Sequence, residues 1–238
     1  MAEGAPRCVF CPDGACASGQ ICHAMLRSSD DLFQSGVIPG MNFAEQIAYW
    51  YLRLNGFFPL ANFVIHHSDE NRASDADLVA VRFPHVTEAI GGATTDWDNR
   101  FGEQWPVSLG NGSIGLIVEV KSGYWDRRRL IDPDRAWYIR SGVQRMGMIP
   151  PGRALDRVVA NLNQNAVTRH GRFTLAKLFV GNGTMEASVP WLHISLDDAE
   201  NFVRNRMRTY SDRKMKDRMF FDGDLIQYFA WKGADHRG

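Results

Sequence analysis

The sequence has no excess of charge of either sign, since 27 Lys and Arg residues balance 27 Asp and Glu residues. A neutral chain has no general attraction to a polyanion, so any binding of nucleic acid would have to come from a local cluster of basic side chains. The clearest basic clusters are residues 127–129 and the stretch from 204 to 218. The composition therefore does not predict a protein that coats nucleic acid through its overall charge.

The sequence also lacks a long apolar run. No stretch approaches the roughly 20 residues of a membrane-spanning helix. The N-terminus has no apolar segment of the kind found in secretory signals. We therefore expect a cytoplasmic protein without a membrane partner. At 238 residues, the chain is long enough for one sizeable domain with a small appendage.

Cysteine is absent from most of the chain. The four cysteines are Cys8, Cys11, Cys16 and Cys22. Such a cluster in a cytoplasmic chain favours metal binding over disulfides. Zinc would take four thiolates, or three together with His23; an iron–sulfur cluster or a tail of reduced thiols are the alternatives. We predict a Cys-rich segment over residues 1–35, with zinc as the favoured ion, followed by a domain over residues 36–238.

Apolar spacing predicts the elements of that domain. A helix is expected over Phe43–Leu54, with Asn42 as its N-cap. Strands are expected at 57–66, 78–83, 114–121, 173–180 and 191–194. Helices are expected to start near 132, 195 and 223, and another is expected around 155–162. In the long connection 84–113, Asp96 and Asp98 are expected to be solvated beside a packed Trp97; metal binding by the two carboxylates is the alternative. The order predicts an α/β fold, with a mixed sheet of four to five strands flanked by helices.

Charged residues lie at the ends of two of these strands. Glu119 and Lys121 follow the apolar run 114–118, and strand alternation places both on one face. Asp77 comes directly before another apolar run, at Leu78. Two carboxylates suit a divalent ion such as Mg²⁺ or Mn²⁺, and an ammonium can position water and offset negative charge. The alternative is an ion pair that solvates the rim of a sheet.

Three segments carry a family resemblance. "NFAEQIAYWYLRLNGF" (42–57), "SDADLVAVRFP" (74–84) and "GLIVEVKSG" (115–123) resemble the PD-(D/E)XK nuclease superfamily, in its restriction-endonuclease-like and Holliday-junction-resolvase-like branches. The resemblance covers residues 42 to about 124. It implies a restriction-endonuclease-like core and metal-dependent hydrolysis of phosphodiester bonds, with DNA as the expected substrate.

The resemblance also assigns residues to roles. It implies that Asp77 and Glu119 bind Mg²⁺ or Mn²⁺, that the carbonyl of Val120 adds a ligand, and that Lys121 assists the attack of water. An acid on the first helix, here Glu45, would contribute to the same site. However, Asn42-x-x-Glu45 also has the spacing of a capping box, which gives Glu45 a structural alternative.

The expected partner is DNA. Arg127, Arg128 and Arg129 follow the Glu119-x-Lys121 strand closely and could contact a phosphate backbone; a solvated surface is the alternative. A homodimer or a larger defence or repair complex is compatible with the sequence. A second hypothesis is a nucleic-acid-binding or assembly subunit of such a complex, which keeps the fold but has little activity alone.

Overall fold

The computed structural model describes residues 41–67, 71–87, 96–123, 126–132 and 136–209, together with Leu225 and Phe229. For residues 62–67, 71–76, 127 and 136 the description is confined to the backbone. All of these residues belong to one compact unit, which spans Gly36–Gly238. The predicted metal site at Cys8, Cys11, Cys16 and Cys22 lies outside the described residues.

Four α-helices and six strands have their bounds within the described part of this unit. The helices are α1 (Phe43–Leu54), α2 (Ala136–Met146), α3 (Arg153–Gln164) and α4 (Leu196–Thr209). The strands are β1 (Phe58–His67), β2 (Asn71–Arg82), β3 (Ser113–Lys121), β4 (Val167–His170), β5 (Phe173–Gly181) and β6 (Leu192–Ile194). A short irregular helix, Arg100–Gln104, precedes β3, and a 3-10 helix, Arg127–Ile131, follows it.

The strands form one open, mixed sheet in the order β1-β2-β3-β5-β4, with β6 also paired to β5. β2 is antiparallel to β1 and β3, whereas β3 runs parallel to β5. β4 is antiparallel to β5, and β6 is parallel to it. The predicted α/β architecture with a mixed sheet flanked by helices is therefore confirmed, with six strands rather than four to five.

β3 lies at the centre of the sheet, between β2 and β5, and its side chains are buried on both faces. Leu116 and Val118 pack with α1 and α4 in one apolar cluster. Ile117 packs with α2 and α3 in a second cluster on the opposite face. Because side chains alternate along a strand, Glu119 and Lys121 share the α2/α3 face with Ile117.

The sequence predicted most element positions. The bounds of α1 are those expected, and Ser195 Oγ accepts a hydrogen bond from the Asp198 backbone N–H at 3.0 Å, as expected for an N-cap. The prediction for β2 was too short: the strand begins at Asn71 rather than at residue 78, so Asp77 lies within the strand. The edge strand β4 was not predicted. Of the helix expected from residue 223, the structure describes Leu225 and Phe229, both helical.

The connection between β2 and β3 contributes to the core. Phe101, Trp105 and Val107 are buried in the α1/α4 cluster. The expectation that Asp98 is solvated is wrong: its side chain is buried, and its Oδ2 accepts a hydrogen bond from the hydroxyl of Tyr51 at 2.9 Å. A buried carboxylate needs such partners, and this contact ties the connection to α1.

The arginines at the start of the predicted basic stretch 204–218 have structural contacts. Arg206 is buried, donates a hydrogen bond to the Asp96 carbonyl and lies 5.9 Å from the ring of Trp97. Arg204 forms a 2.6 Å ion pair with Glu200. Arg204 and Arg206 therefore have structural contacts at α4, whereas Arg208, in the last turn of the helix, is exposed.

No helix among the residues described here is long and apolar enough to cross a membrane.

One lysine is buried in the sheet. Lys177 of β5 is 2% exposed, and its ammonium lies 5.3 Å from the ring centroid of Trp191. Burial lowers the pKa of Lys177 from 10.5 to about 8. The folded state therefore binds this proton less tightly than the unfolded state does.

We predict that Lys177→Met is more stable than the wild type at neutral pH, by up to about 3 kcal/mol, since one pKa unit corresponds to about 1.4 kcal/mol. The difference should shrink as the pH rises from about 8 towards 10.5, because the amine loses its proton in the folded state first, and it should vanish only above 10.5, where the amine is neutral in both states. Urea unfolding of both proteins across this range measures it. A stability difference that does not change with pH would contradict the prediction.

Candidate functional site

The candidate site forms where the pairing between β2 and β3 ends. Their register runs from Arg82 opposite Ile114 to Leu78 opposite Val118, while β3 continues to Lys121 alongside β5. Asp77, the next residue of β2, accepts a 2.7 Å hydrogen bond at Oδ2 from the backbone N–H of Val120. A carboxylate therefore takes the position that a backbone carbonyl would occupy in a continued ladder.

Asp77, Glu119 and Lys121 meet at this position, and we call them the carboxylate–lysine cluster. The Nζ of Lys121 lies 3.0 Å from Asp77 Oδ2 and 3.0 Å from Glu119 Oε1. The side chains are 15% exposed for Asp77, 5% for Glu119 and 29% for Lys121. The structure thus brings together the three residues that the sequence singled out.

A fourth side chain, which the sequence analysis missed, completes the cluster. The hydroxyl of Tyr138 on α2 donates a 3.0 Å hydrogen bond to Glu119 Oε2, and Tyr138 is 1% exposed. The sequence feature that could have indicated this contact is Gly142 of α2. A Cβ at Gly142 would lie 2.8 Å from the side chain of Ile117, so α2 approaches β3 closely there. Tyr138 stands one helical turn before Gly142 and so faces β3 as well.

Burial and mutual charge set the titration of the cluster. Burial and the neighbouring charge of Glu119 raise the pKa of Asp77, an effect that Lys121 and the Val120 N–H partly offset. Burial lowers the pKa of Lys121, but the carboxylates of Glu119 and Asp77 outweigh it, so that its pKa is raised overall. Lys121 is therefore suited to carry positive charge rather than to accept a proton.

Glu45 has the structural role that its spacing indicated. Its Oε2 accepts a 3.2 Å hydrogen bond from the Asn42 N–H, while Asn42 Oδ1 accepts from the N–H groups of Ala44 and Glu45. The capping box is therefore confirmed. Burial also raises the pKa of Glu45, the charge of Asp77 adds to this, and Lys121 opposes it. Glu45 thus lies within electrostatic reach of the cluster, and its role in the reaction stays a prediction.

The predicted DNA-contacting arginines lie just beyond β3, in the 3-10 helix Arg127–Ile131. Arg128 and Arg129 are exposed, and Arg128 Nε forms a 3.1 Å ion pair with Asp126. Only the backbone of Arg127 is described. The exposure of the pair is compatible with the predicted phosphate contacts.

The donors of the cluster fit a hard divalent cation. No group of three or more His, Cys, Asp or Glu side chains gathers as a metal site in the part of the chain described here. A strand residue directs its N–H and C=O to the same neighbour, so the Val120 carbonyl faces the Asp77 side with its N–H. Two carboxylates and one carbonyl suit Mg²⁺, which is commonly bound through one or two carboxylates and keeps several waters.

Compared with family models, with curated proteins and with solved structures, the chain matches none. The inference of function therefore rests on the geometry of the site and on the sequence motifs.

Two buried tyrosine–carboxylate hydrogen bonds allow a matched test of Tyr138. Tyr138→Phe and Tyr51→Phe each remove one hydroxyl from a carboxylate, so each should lower the free energy of unfolding by about 1.5–3 kcal/mol. Only Tyr138→Phe should weaken Mn²⁺ binding, by about tenfold or more, because it releases Glu119 from its fixed orientation. Urea unfolding and calorimetric Mn²⁺ titration measure the two effects. Equal Mn²⁺ affinities in the two variants would refute the role of Tyr138.

Proposed function

We propose that this chain is a metal-dependent nuclease with a restriction-endonuclease-like core, of the PD-(D/E)XK type, and that it hydrolyses phosphodiester bonds in DNA. The observation that carries the proposal is the convergence of Asp77, Glu119 and Lys121 at the end of the β2–β3 ladder, with one ammonium 3.0 Å from an oxygen of each carboxylate.

The arrangement of elements supports the proposal. A helix precedes the sheet, Asp77 lies on its second strand, and Glu119 and Lys121 lie at the end of its third strand. This is the order that the resemblance implies for the active site of the superfamily. Chance pairing of charges explains any one of these positions, but it does not account for three of them meeting at one point.

The chemistry of phosphodiester hydrolysis matches this set of groups. Asp77, Glu119 and the Val120 carbonyl would hold Mg²⁺ or Mn²⁺, which supplies positive charge and lowers the pKa of water. Lys121 would place its ammonium against the phosphate and offset the negative charge that develops there. The buried hydroxyl of Tyr138 holds Glu119 through the hydrogen bond to Oε2.

The exposed arginines Arg128 and Arg129 supply a plausible first contact with DNA. They lie in the 3-10 helix that follows β3 along the chain. Phosphate contacts of this kind position a nucleic acid without reading its sequence. With a net charge of zero, the protein would depend on such local contacts.

The central test is cleavage of plasmid DNA by the full chain, with and without Mg²⁺. We predict that Asp77→Asn, Glu119→Gln and Lys121→Met each reduce the rate by about 100-fold or more, because each removes a charge that faces the phosphate or its counter-ion. Asp156→Asn is the control, since Asp156 on α3 is an exposed carboxylate that pairs with Arg140 on α2. This variant should cleave like the wild type.

Near wild-type cleavage by any of the three folded cluster variants would reject the assignment. A wild type that binds duplex DNA but leaves it intact in Mg²⁺ and Mn²⁺ would favour the alternative of an assembly subunit.

Glu45 calls for a variant that separates its two roles. Gln can take the place of Glu in a capping box, so Glu45→Gln should change the free energy of unfolding by no more than about 0.5 kcal/mol. Asn42→Ala, which removes the cap and keeps the charge, should cost about 1 kcal/mol. If Glu45 acts in the reaction, Glu45→Gln should lose cleavage while Asn42→Ala keeps it. Unchanged cleavage in Glu45→Gln would leave Glu45 a cap alone.

A further inference from the structure

The ammonium of Lys121 occupies the space between the two proposed metal ligands. It lies 3.0 Å from one oxygen of each carboxylate, Asp77 Oδ2 and Glu119 Oε1. Both carboxylates are mostly buried, with side chains 15% and 5% exposed. Buried charges of one sign need a counter-charge nearby. Lys121 supplies that charge in the protein without metal.

The hydrogen bonds around the cluster limit how a cation can approach Glu119. Tyr138, packed beneath it on α2, donates to Oε2. Oε1, the other oxygen of Glu119, is the one that Lys121 contacts. A divalent ion that binds Glu119 through Oε1 must therefore approach an oxygen that already holds the ammonium.

We propose that Lys121 is an internal cation that competes with the divalent ion for Asp77 and Glu119, and that it must leave at least one of these carboxylates when the metal binds. Two cations cannot share the same pair of oxygens at contact distance without strong repulsion. The lysine therefore sets the metal affinity of the site. This inference rests on the proposed function, because it takes the two carboxylates as the metal ligands.

Metal binding would release the Lys121 ammonium from the carboxylates. An ammonium released from the carboxylates is free to meet the phosphate of the substrate, where its charge is useful. The same side chain would then protect the buried carboxylates before metal binding and serve the reaction after it. The wild type accordingly binds metal less tightly than its carboxylates alone would allow.

The test measures Mg²⁺ affinity of the full-length protein by calorimetry and by the shift of thermal unfolding with Mg²⁺ concentration. Mg²⁺ is the probe because hard oxygen ligands suit it and the thiolates of the N-terminal cysteines do not. All variants are compared at one pH of about 8, which lies well above the ordinary pKa values of Asp and Glu. We expect Lys121→Met to bind Mg²⁺ at least about tenfold more tightly than the wild type, since it removes the competing charge at contact distance.

Two variants control for charge and for folding. Arg140→Met also removes one positive charge, but from an exposed ion pair with Asp156 at 2.8 Å, and it should leave the affinity unchanged. Lys121→Arg keeps the charge in the cluster and should not tighten binding.

Unchanged or weaker Mg²⁺ binding by Lys121→Met, no Mg²⁺ binding by any variant, or equal tightening in Arg140→Met would each overturn the proposal. The plasmid assay separates this result from the proposed function. Tighter binding in Lys121→Met together with a wild type that cannot cleave DNA would support the competition and reject the nuclease. Cleavage by the wild type with unchanged Mg²⁺ affinity in Lys121→Met would support the nuclease and reject the competition.

Discussion

The hydrogen bond from the Val120 N–H to Asp77 Oδ2, 2.7 Å long, is the constraint on which the candidate site depends. It stands at the point where the β2–β3 ladder ends, and it fixes a carboxylate of one strand against the backbone of the next. Once Asp77 is fixed there, alternation along β3 brings Glu119 and Lys121 to the same place. The site is thus a product of strand register rather than of a flexible loop.

Burial turns this arrangement into a chemical site. The helices α1 and α2 cover opposite faces of β3, and the close approach of α2 at Gly142 brings the hydroxyl of Tyr138 within hydrogen-bond distance of Glu119. An ionised carboxylate in such surroundings is costly unless hydrogen bonds and an opposite charge compensate it. Here a tyrosine hydroxyl and an ammonium do so. The same compensation holds the two carboxylates side by side, which is the arrangement that the proposed metal site requires.

Rules that depend only on neighbouring residues predicted the bounds of α1 and the shared face of Glu119 and Lys121. The bounds of α1 follow from its apolar spacing and from the Asn42–Glu45 capping box, and both are confirmed. The shared face of Glu119 and Lys121 follows from the period of a strand, and the structure brings both side chains to one point. For these residues, neighbours in the chain decide where the helix begins and ends and on which face of the strand the side chains lie.

Long-range packing decided what the sequence did not reveal. β2 reaches back to Asn71 because it pairs with β1 there, beyond the apolar run that marked the strand. The burial of Asp98 depends on Tyr51, a residue far away in the chain, whose hydroxyl compensates the carboxylate. The contact of Tyr138 with Glu119 requires α2 to cross β3 at a particular point. No spacing rule within one element contains this information.

The most direct test of the central claim is to locate a metal ion by anomalous diffraction from crystals soaked in Mn²⁺. We predict one Mn²⁺ ion at about 2.0–2.2 Å from carboxylate oxygens of both Asp77 and Glu119, the distance range expected for hard oxygen ligands. A well-ordered Mn²⁺ ion bound elsewhere, with the Asp77–Lys121–Glu119 ion pairs intact in a protein that still cleaves DNA, would contradict it.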